Sequence, residues 1–481
     1  MAGPPLDGMR YRIGLAANLS ADAAMSHSAS RSTWSNRWAF ILVTIGSAVG
    51  LGNIWKFSYL AGSGGGSAFV LVYLLCVALI GLPLLMAEIL IGRRGRGNPV
   101  SAMLNTAEET GNSSWWALLG WVGMFGALMI LSYYSVVAGW IADYLFQAIA
   151  GVRVETAEAA RNAFADLTGN PVRMGFWHTV FLALSVGVVA RGVVAGIEAA
   201  NRIMLPMLFL ILLSLTAWGA FVGDMPTALH FMFDFKVEAL TSDVILLAMG
   251  QAFFSLSLGM GAIMVYGSYL DKKTSIGSTS LWVAVAGTLV GLLSGMAIFS
   301  LTFGYGLAPS EGPGLILQTL PLAFSHMPGG RLVAALFFLF VLFAAWTSAI
   351  SLVEPFVSWL TERYGIHRAR AAWYTGVPVW LLGLAVCLSF NHWSGYSVFG
   401  RNLFNALDQL ATNVMMPLSG LAIAIYVGWR MGRVLVRDEV NLEGRAFPLW
   451  FTVLRYIVPV GIVLVFFHKL GVFSWLLGFF L

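Results

Sequence analysis

The sequence predicts an all-α polytopic membrane protein of eleven transmembrane helices, the first ten forming an inverted five-helix repeat. Three observations predict it. Of 481 residues, 59% are hydrophobic and only 10% charged, which excludes a soluble globule. Apolar runs long enough for a bilayer core, about 20 helical residues, recur along the whole chain. Two of them, five spans apart, are interrupted at their centres by glycine and serine, a pattern that points to an inverted repeat with a ligand site at mid-membrane.

Taken in order, residues 1–36 are rich in Ser and Ala, carry Arg10 and Arg12, and lack an apolar stretch ahead of a cleavage site. They read as a flexible cytoplasmic tail rather than a signal peptide. Apolar runs then lie near 37–60, 68–92, 116–149, 175–191, 199–222, 243–270, 280–304, 333–361, 370–389, 401–430 and 448–480. The first repeat is expected over 37–222, the second over 243–430, and a peripheral eleventh span over 448–481. Cys76 and Cys387 fall inside apolar spans, where they act as small hydrophobes, and no disulfide is expected. With the N-terminus cytoplasmic, nineteen Lys and Arg residues lie on the inner side and eight on the outer. That bias sets the orientation in the cell's inner (plasma) membrane, with the C-terminus external. The formal charge of +5 therefore reports orientation rather than a nucleic-acid partner; the bilayer is the surrounding implied, and no protein partner is.

The first interrupted span, Trp38 to Phe57, has Gly46-Ser47-Ala48-Val49-Gly50-Leu51-Gly52-Asn53 at its middle. Each glycine costs a helix interior about 1 kcal/mol against alanine, and a helix opened in hydrocarbon is tolerated only where the freed backbone faces a cavity or ligand. Small-residue helix packing also fits Gly46 and Gly50, but Gly52 and Asn53 add polar capacity that packing does not require. The second, Val244 to Tyr269, centres on Gly250 to Gly261, with Ser255, Ser257 and Gly259 between. Half-helix N-termini present N–H groups to an anion, and freed carbonyls accept a cation. A zwitterionic amino acid with Na⁺ suits both. A pure amine would call for a carboxylate in the first broken helix, which has none.

The stretches GSAVGLGNIWKF, GGGSAF, GLPLLMAEILIGRRG, LSYYSVVAGW, GQAFFSLSLGMGAI, GPGLILQTLPLAFSHMPGG and AAWTSAISLVEP resemble, in order and spacing, the neurotransmitter:sodium symporter family. Bacterial amino-acid members similar to the leucine transporter are the nearest in pattern, and the resemblance runs from Arg31 to about Trp429. It implies the leucine-transporter-like fold and sodium-coupled import of a neutral, hydrophobic amino acid by alternating access. It implies one sodium site from the carbonyls of Gly46, Val49 and Ala344 with the hydroxyls of Thr347 and Ser348. For those two hydroxyls, interhelical hydrogen bonding is the plainer reading. A second sodium site would use Ala48, Asn53 and Ser255, but Gly287 stands where the family supplies an asparagine, so that site is degenerate and coupling is expected through the other. Gly291 replaces the acid or serine that settles chloride dependence, although Tyr73 and Gln251 remain; chloride and proton-assisted coupling stay open.

The resemblance further implies that the substrate carboxylate meets the N–H groups of Leu51 and Gly52 and the hydroxyl of Tyr134. Carbonyls of Ser47, Phe254 and Ser257 would take the amine. Ile130, Tyr134, Phe254, Met260, Ser348 and Leu352 would line the side-chain pocket, and Gly50 stands where monoamine members carry aspartate. Lys56 and Asp408 are expected as a loose, water-bridged outer gate, and Arg31 and Trp34 as an inner latch to Glu362. Glu88 would bond the frayed backbone of the first and sixth spans, and Gly196 with Pro206 would mark local unwinding. Glu354 reads as a proton shuttle or, more simply, an inner hydrogen bond, and 304–331 as an outer lid loop. An enzyme is not expected, since the histidines lie in the tail, in loops or near span ends. A solute sensor or solute-gated channel on the same fold is the alternative.

Overall fold

The computed structural model describes residues 33–307 and 314–469, all helix, turn and loop apart from one isolated bridge between Val398 and Arg401. Asn36 caps α1 (Arg37–Ala48), its side-chain oxygen accepting the Ala39 N–H at 2.9 Å. The chain breaks and resumes as α2 (Gly52–Ser63), bent by 56° from α1. Next come α3 (Ser67–Gly95), α4 (Pro99–Glu109), α5 (Ser114–Ala150), α6 (Ala157–Gly169), α7 (Pro171–Ala190), α8 (Val193–Val222) and α9 (Met225–Phe233). The sixth expected span is two helices, α10 (Ser242–Ser255) and α11 (Ala262–Ser268). The rest are α12 (Ile276–Gly304), α13 (Leu315–His326), α14 (Gly330–Tyr364), α15 (Arg368–Leu388), α16 (Leu403–Arg430), α17 (Arg433–Val440) and α18 (Ala446–Leu464). Each of the eleven expected positions thus carries helix, and 470–480 of the last lies outside the described residues.

One expectation is corrected here. The stretch 304–331 is no plain loop, because it holds α13, whose Leu315, Leu320 and Phe324 are buried. An apolar run between glycines finds more burial as a helix than as a lid of irregular backbone, whose polar groups would need partners.

The long α14 is the axis of the bundle, packing against α5, α8, α15, α1 and α11. Outward rows such as Leu71, Leu75 and Leu79 on α3 and Leu210 and Leu213 on α8 stay exposed, as a surface solvated by lipid tails would. Several buried charges are paired. Arg93 donates to Glu439 at 2.6 Å and to the carbonyl of Thr274, and Arg94 bridges Glu439 and Glu109, tying α3 to α17 and α4. Arg173 and the Trp177 indole hold Asp143 at 2.7 and 2.8 Å. Cys76 and Cys387 are buried free thiols.

Candidate functional site

The two breaks face each other. Helix α1 closes with the Val49 N–H on the Ile45 carbonyl at 2.7 Å, after which Val49 turns extended, leaving the last carbonyls of α1 without partners along the chain. Across from it, α10 ends at Ser255 and the backbone passes through left-handed Ser257 (φ 53°), Gly259 (φ 78°) and Gly261 (φ 76°). Serine enters that region at a cost of about 1–2 kcal/mol; here its hydroxyl donates to the Ser47 carbonyl at 2.8 Å. The two loosened segments are thereby tied together.

Between them lies a cavity of about 20 Å³ lined by Ser47, Ala48, Gly50, Gly52, Asn53, Ile130, Tyr134, Phe254, Ser257, Met260, Ser348, Ser351 and Leu352. All the sequence-picked substrate residues line it except Leu51, whose N–H instead donates to the Tyr134 hydroxyl at 3.1 Å. Ser351 is an addition the sequence reading lacked; its hydroxyl donates to the Ser348 carbonyl at 2.7 Å. At Gly50 a Cβ would meet the Ser348 hydroxyl and come within 3.0 Å of the Tyr134 hydroxyl, so no carboxylate fits there. The chamber offers main-chain polarity at one end and Ile130, Phe254, Met260 and Leu352 at the other.

The first oxygen cluster joins α1 to α14. The Ser348 hydroxyl lies 3.4, 3.1 and 3.3 Å from the carbonyls of Gly46, Ser47 and Val49. The Thr347 hydroxyl lies 3.1 Å from the Ala344 carbonyl and 3.5 Å from that of Val49. Two hydroxyl protons cannot serve so many acceptors. The residues fit a hard cation, which takes oxygen ligands only.

The second cluster is arranged differently. The Asn53 amide nitrogen donates to the carbonyls of Ala48, Ser255 and Gly287 at 3.1, 3.4 and 3.3 Å, leaving its oxygen buried and unpartnered. The Asn53 amide thus sits among three carbonyls. A Cβ at Gly287 would fit without a clash, 3.5 Å from the Asn53 nitrogen and 3.8 Å from the Ser255 carbonyl oxygen. Gln251 spends its amide N–H groups on the Gly52 carbonyl and the Ser255 hydroxyl, at 2.8 and 3.0 Å, while Tyr73 is buried and Gly291 carries no ligand atom.

The expected outer gate, loose and water-bridged, makes no direct ion pair, and the described gate residues take other direct partners. Among the described residues Lys56 and Asp408 do not pair: the Lys56 ammonium rides 4.4 Å over the Phe254 ring, and Asp408 accepts from the Tyr133 hydroxyl at 2.8 Å. A lysine point charge has no planar fork to hold a carboxylate, and each group finds a nearer partner. On the inner side, Trp34 is seated on α11 rather than on Glu362. Its indole donates to the Tyr266 carbonyl at 3.1 Å with its ring edge-on to Tyr266 and Tyr269, a shelf that suits an apolar ring better than a carboxylate does. Glu362 accepts from the Asn98 backbone and side chain at 2.8 and 2.7 Å, and Arg31 lies outside the described residues. Glu88 bonds only the sixth span, through the Gly259 N–H at 2.6 Å; its other oxygen is unpartnered. Glu354 is fully buried between the Tyr269 hydroxyl at 2.8 Å and Arg368, so it is a structural bond and ion pair. Gly196 lies in a wide turn, Val193–Glu198, at the start of α8, with Pro206 further along that helix. The Trp346 indole N–H is buried without a partner, which nothing in the structure explains.

Comparison with known proteins gives the chain's relatives. The family model described as the sodium:neurotransmitter symporter family matches residues 31–157 and 169–476. The uncharacterised sodium-dependent transporter YhdH of Bacillus subtilis (strain 168) is 37% identical over 451 residues, covering 92% of this chain and 98% of its own length. A sodium-dependent transporter of Haemophilus influenzae is 31% identical over 454 residues, with coverage of 92% and 98%. The crystal structure of MhsT in complex with L-phenylalanine superposes with a TM-score of 0.85 at 38% identity, covering 92% of this chain and all of that one.

Proposed function

The chain belongs to the sodium:neurotransmitter symporter family, multi-pass sodium-coupled transporters, and from that premise we propose that it imports a neutral, hydrophobic amino acid with Na⁺ by alternating access. The observation that carries this is the chamber between two broken helices: main-chain polar groups for a zwitterion's head, an apolar wall for its side chain, and an acceptor-rich cluster beside it. MhsT, seen with L-phenylalanine, supports an amino acid of that class. In this reading the Tyr134 hydroxyl and the amides of Leu51 and Gly52 meet the carboxylate, and the carbonyls of Ser47, Phe254 and Ser257 meet the amine. Ile130, Met260, Ser348 and Leu352 surround the side chain, with Phe254 and Tyr134 closing above it.

The driving ion rests on Gly46, Val49, Ala344, Thr347 and Ser348. One Na⁺ per substrate is proposed, because the Asn53 amide fills the other cage and Gly287 supplies no replacement. Inward opening would proceed by unwinding between Gly196 and Pro206, from an orientation with the N-terminus in the cytoplasm and the C-terminus outside. The two repeats are 37–222 and 243–430.

Reconstituted vesicles test the proposal. Uphill accumulation of a labelled hydrophobic amino acid under an inward Na⁺ gradient is expected, abolished when the gradient is collapsed. Binding without accumulation would make the protein a sensor, and solute-gated current without accumulation a channel; either result overturns symport.

A further inference from the structure

We propose that Asn201, on α8, is a further oxygen donor to the cation held between α1 and α14, an inference that rests on the sodium-coupled reading above. Its side chain is buried, and its amide nitrogen donates to the Ile197 carbonyl four residues back at 2.9 Å. That bond fixes the amide and turns the oxygen away from its own helix. The oxygen is fully buried and has no hydrogen-bond partner, a condition that native interiors rarely leave unmet.

Its direction is given by Gly46. A Cβ built there would run into the Asn201 amide oxygen, with the Asn201 carbonyl carbon at 3.1 Å and Thr347 Cβ at 3.3 Å. Gly46 and Thr347 are two of the residues assigned to the ion, so the orphan oxygen, carried by α8, lies against residues of the cluster. Glycine at 46 leaves it the room. Hard cations take oxygen ligands; the cluster provides five, and the Asn201 oxygen would add a sixth. A neutral amide completes the shell without adding a charge that would make the ion hard to release. Asn201 also follows the wide turn Val193–Glu198 closely, so opening of that turn would withdraw the oxygen and loosen the ion toward the inner side.

The test uses the full chain, purified in detergent, with Na⁺ as the probe. Half-saturating Na⁺ is read from thermal stabilisation and from binding of radioactive sodium, separately from amino-acid affinity at saturating Na⁺. Asn201→Leu is expected to raise half-saturating Na⁺ about tenfold, the scale of losing one supporting group at a metal site, with amino-acid affinity unchanged. Asn201→Asp, which keeps an oxygen, should retain or improve Na⁺ affinity. Equal Na⁺ affinity in wild type and both variants would overturn the proposal, as would an equal loss in both, which would mean a structural role. If the leucine chain does not fold, Asn201→Ala carries the same comparison. A wild-type chain with no saturable Na⁺ response would instead overturn the ion cluster itself, independently of Asn201.

Discussion

Lys56 lays its charge on an aromatic face while Asp408, its expected partner, is held by Tyr133. A cation over a ring contributes about 0.5–2 kcal/mol, so Lys56 acts through Phe254. A double-mutant cycle on substrate affinity should therefore find coupling between Lys56→Met and Phe254→Leu, while Lys56→Met and Asp408→Asn add within about 0.5 kcal/mol. Coupling in the second pair instead would restore the salt-bridge gate. Gly287 offers a second residue-scale prediction. A Cβ there would sit beside the Asn53 amide without a clash, so Gly287→Asn should introduce an oxygen that can turn Asn53 over and complete a cation shell. The slope of uptake against Na⁺ should be near one in the wild type and steepen in the variant; a wild-type slope near two would refute single-ion coupling.

At the scale of elements, the proposed opening step draws on the wide turn at the head of α8 and on Pro206 further along that helix. Pro206 withholds one helical hydrogen bond and lies in an otherwise continuous helix. Pro206→Ala should lower turnover several-fold while leaving substrate binding within about twofold, since the change touches the opening step and not the chamber. Single-turnover and equilibrium-binding measurements separate the two. The broken elements themselves were legible in the sequence, because the glycines, serines and Asn53 crowded at Gly46 to Asn53 and Ser255 to Gly261 exceed what helix packing in lipid requires. The partners chosen by side chains were not. Nothing local to Lys56 or Trp34 reveals that Phe254 or Tyr266 stands nearer than Asp408 or Glu362, and the amide orientation of Asn53 depends on carbonyls from three separate segments. Asn201 did leave a trace: a polar residue among the apolar positions of the fifth span is rarely idle.

Over the whole molecule, membrane thickness makes span count and order readable from hydropathy, while the inner-face network was invisible because its members lie hundreds of residues apart. Arg93 and Glu439 are both nearly buried, and removing one partner of such a pair costs about 3–5 kcal/mol. Arg93→Met should therefore lower the thermal midpoint markedly without changing the Na⁺ slope, whereas an exposed control such as Arg153→Met should not. Under the proposed coupling to one Na⁺, a single ion gradient would drive uptake, and that would cap how far the cargo is concentrated. A tenfold Na⁺ difference supplies about 1.4 kcal/mol and a potential of about 100 mV another 2.3 kcal/mol. Together they hold the steady-state ratio of inside to outside amino acid near about 500, and a cell needing a steeper store would have to consume the cargo as fast as it arrives.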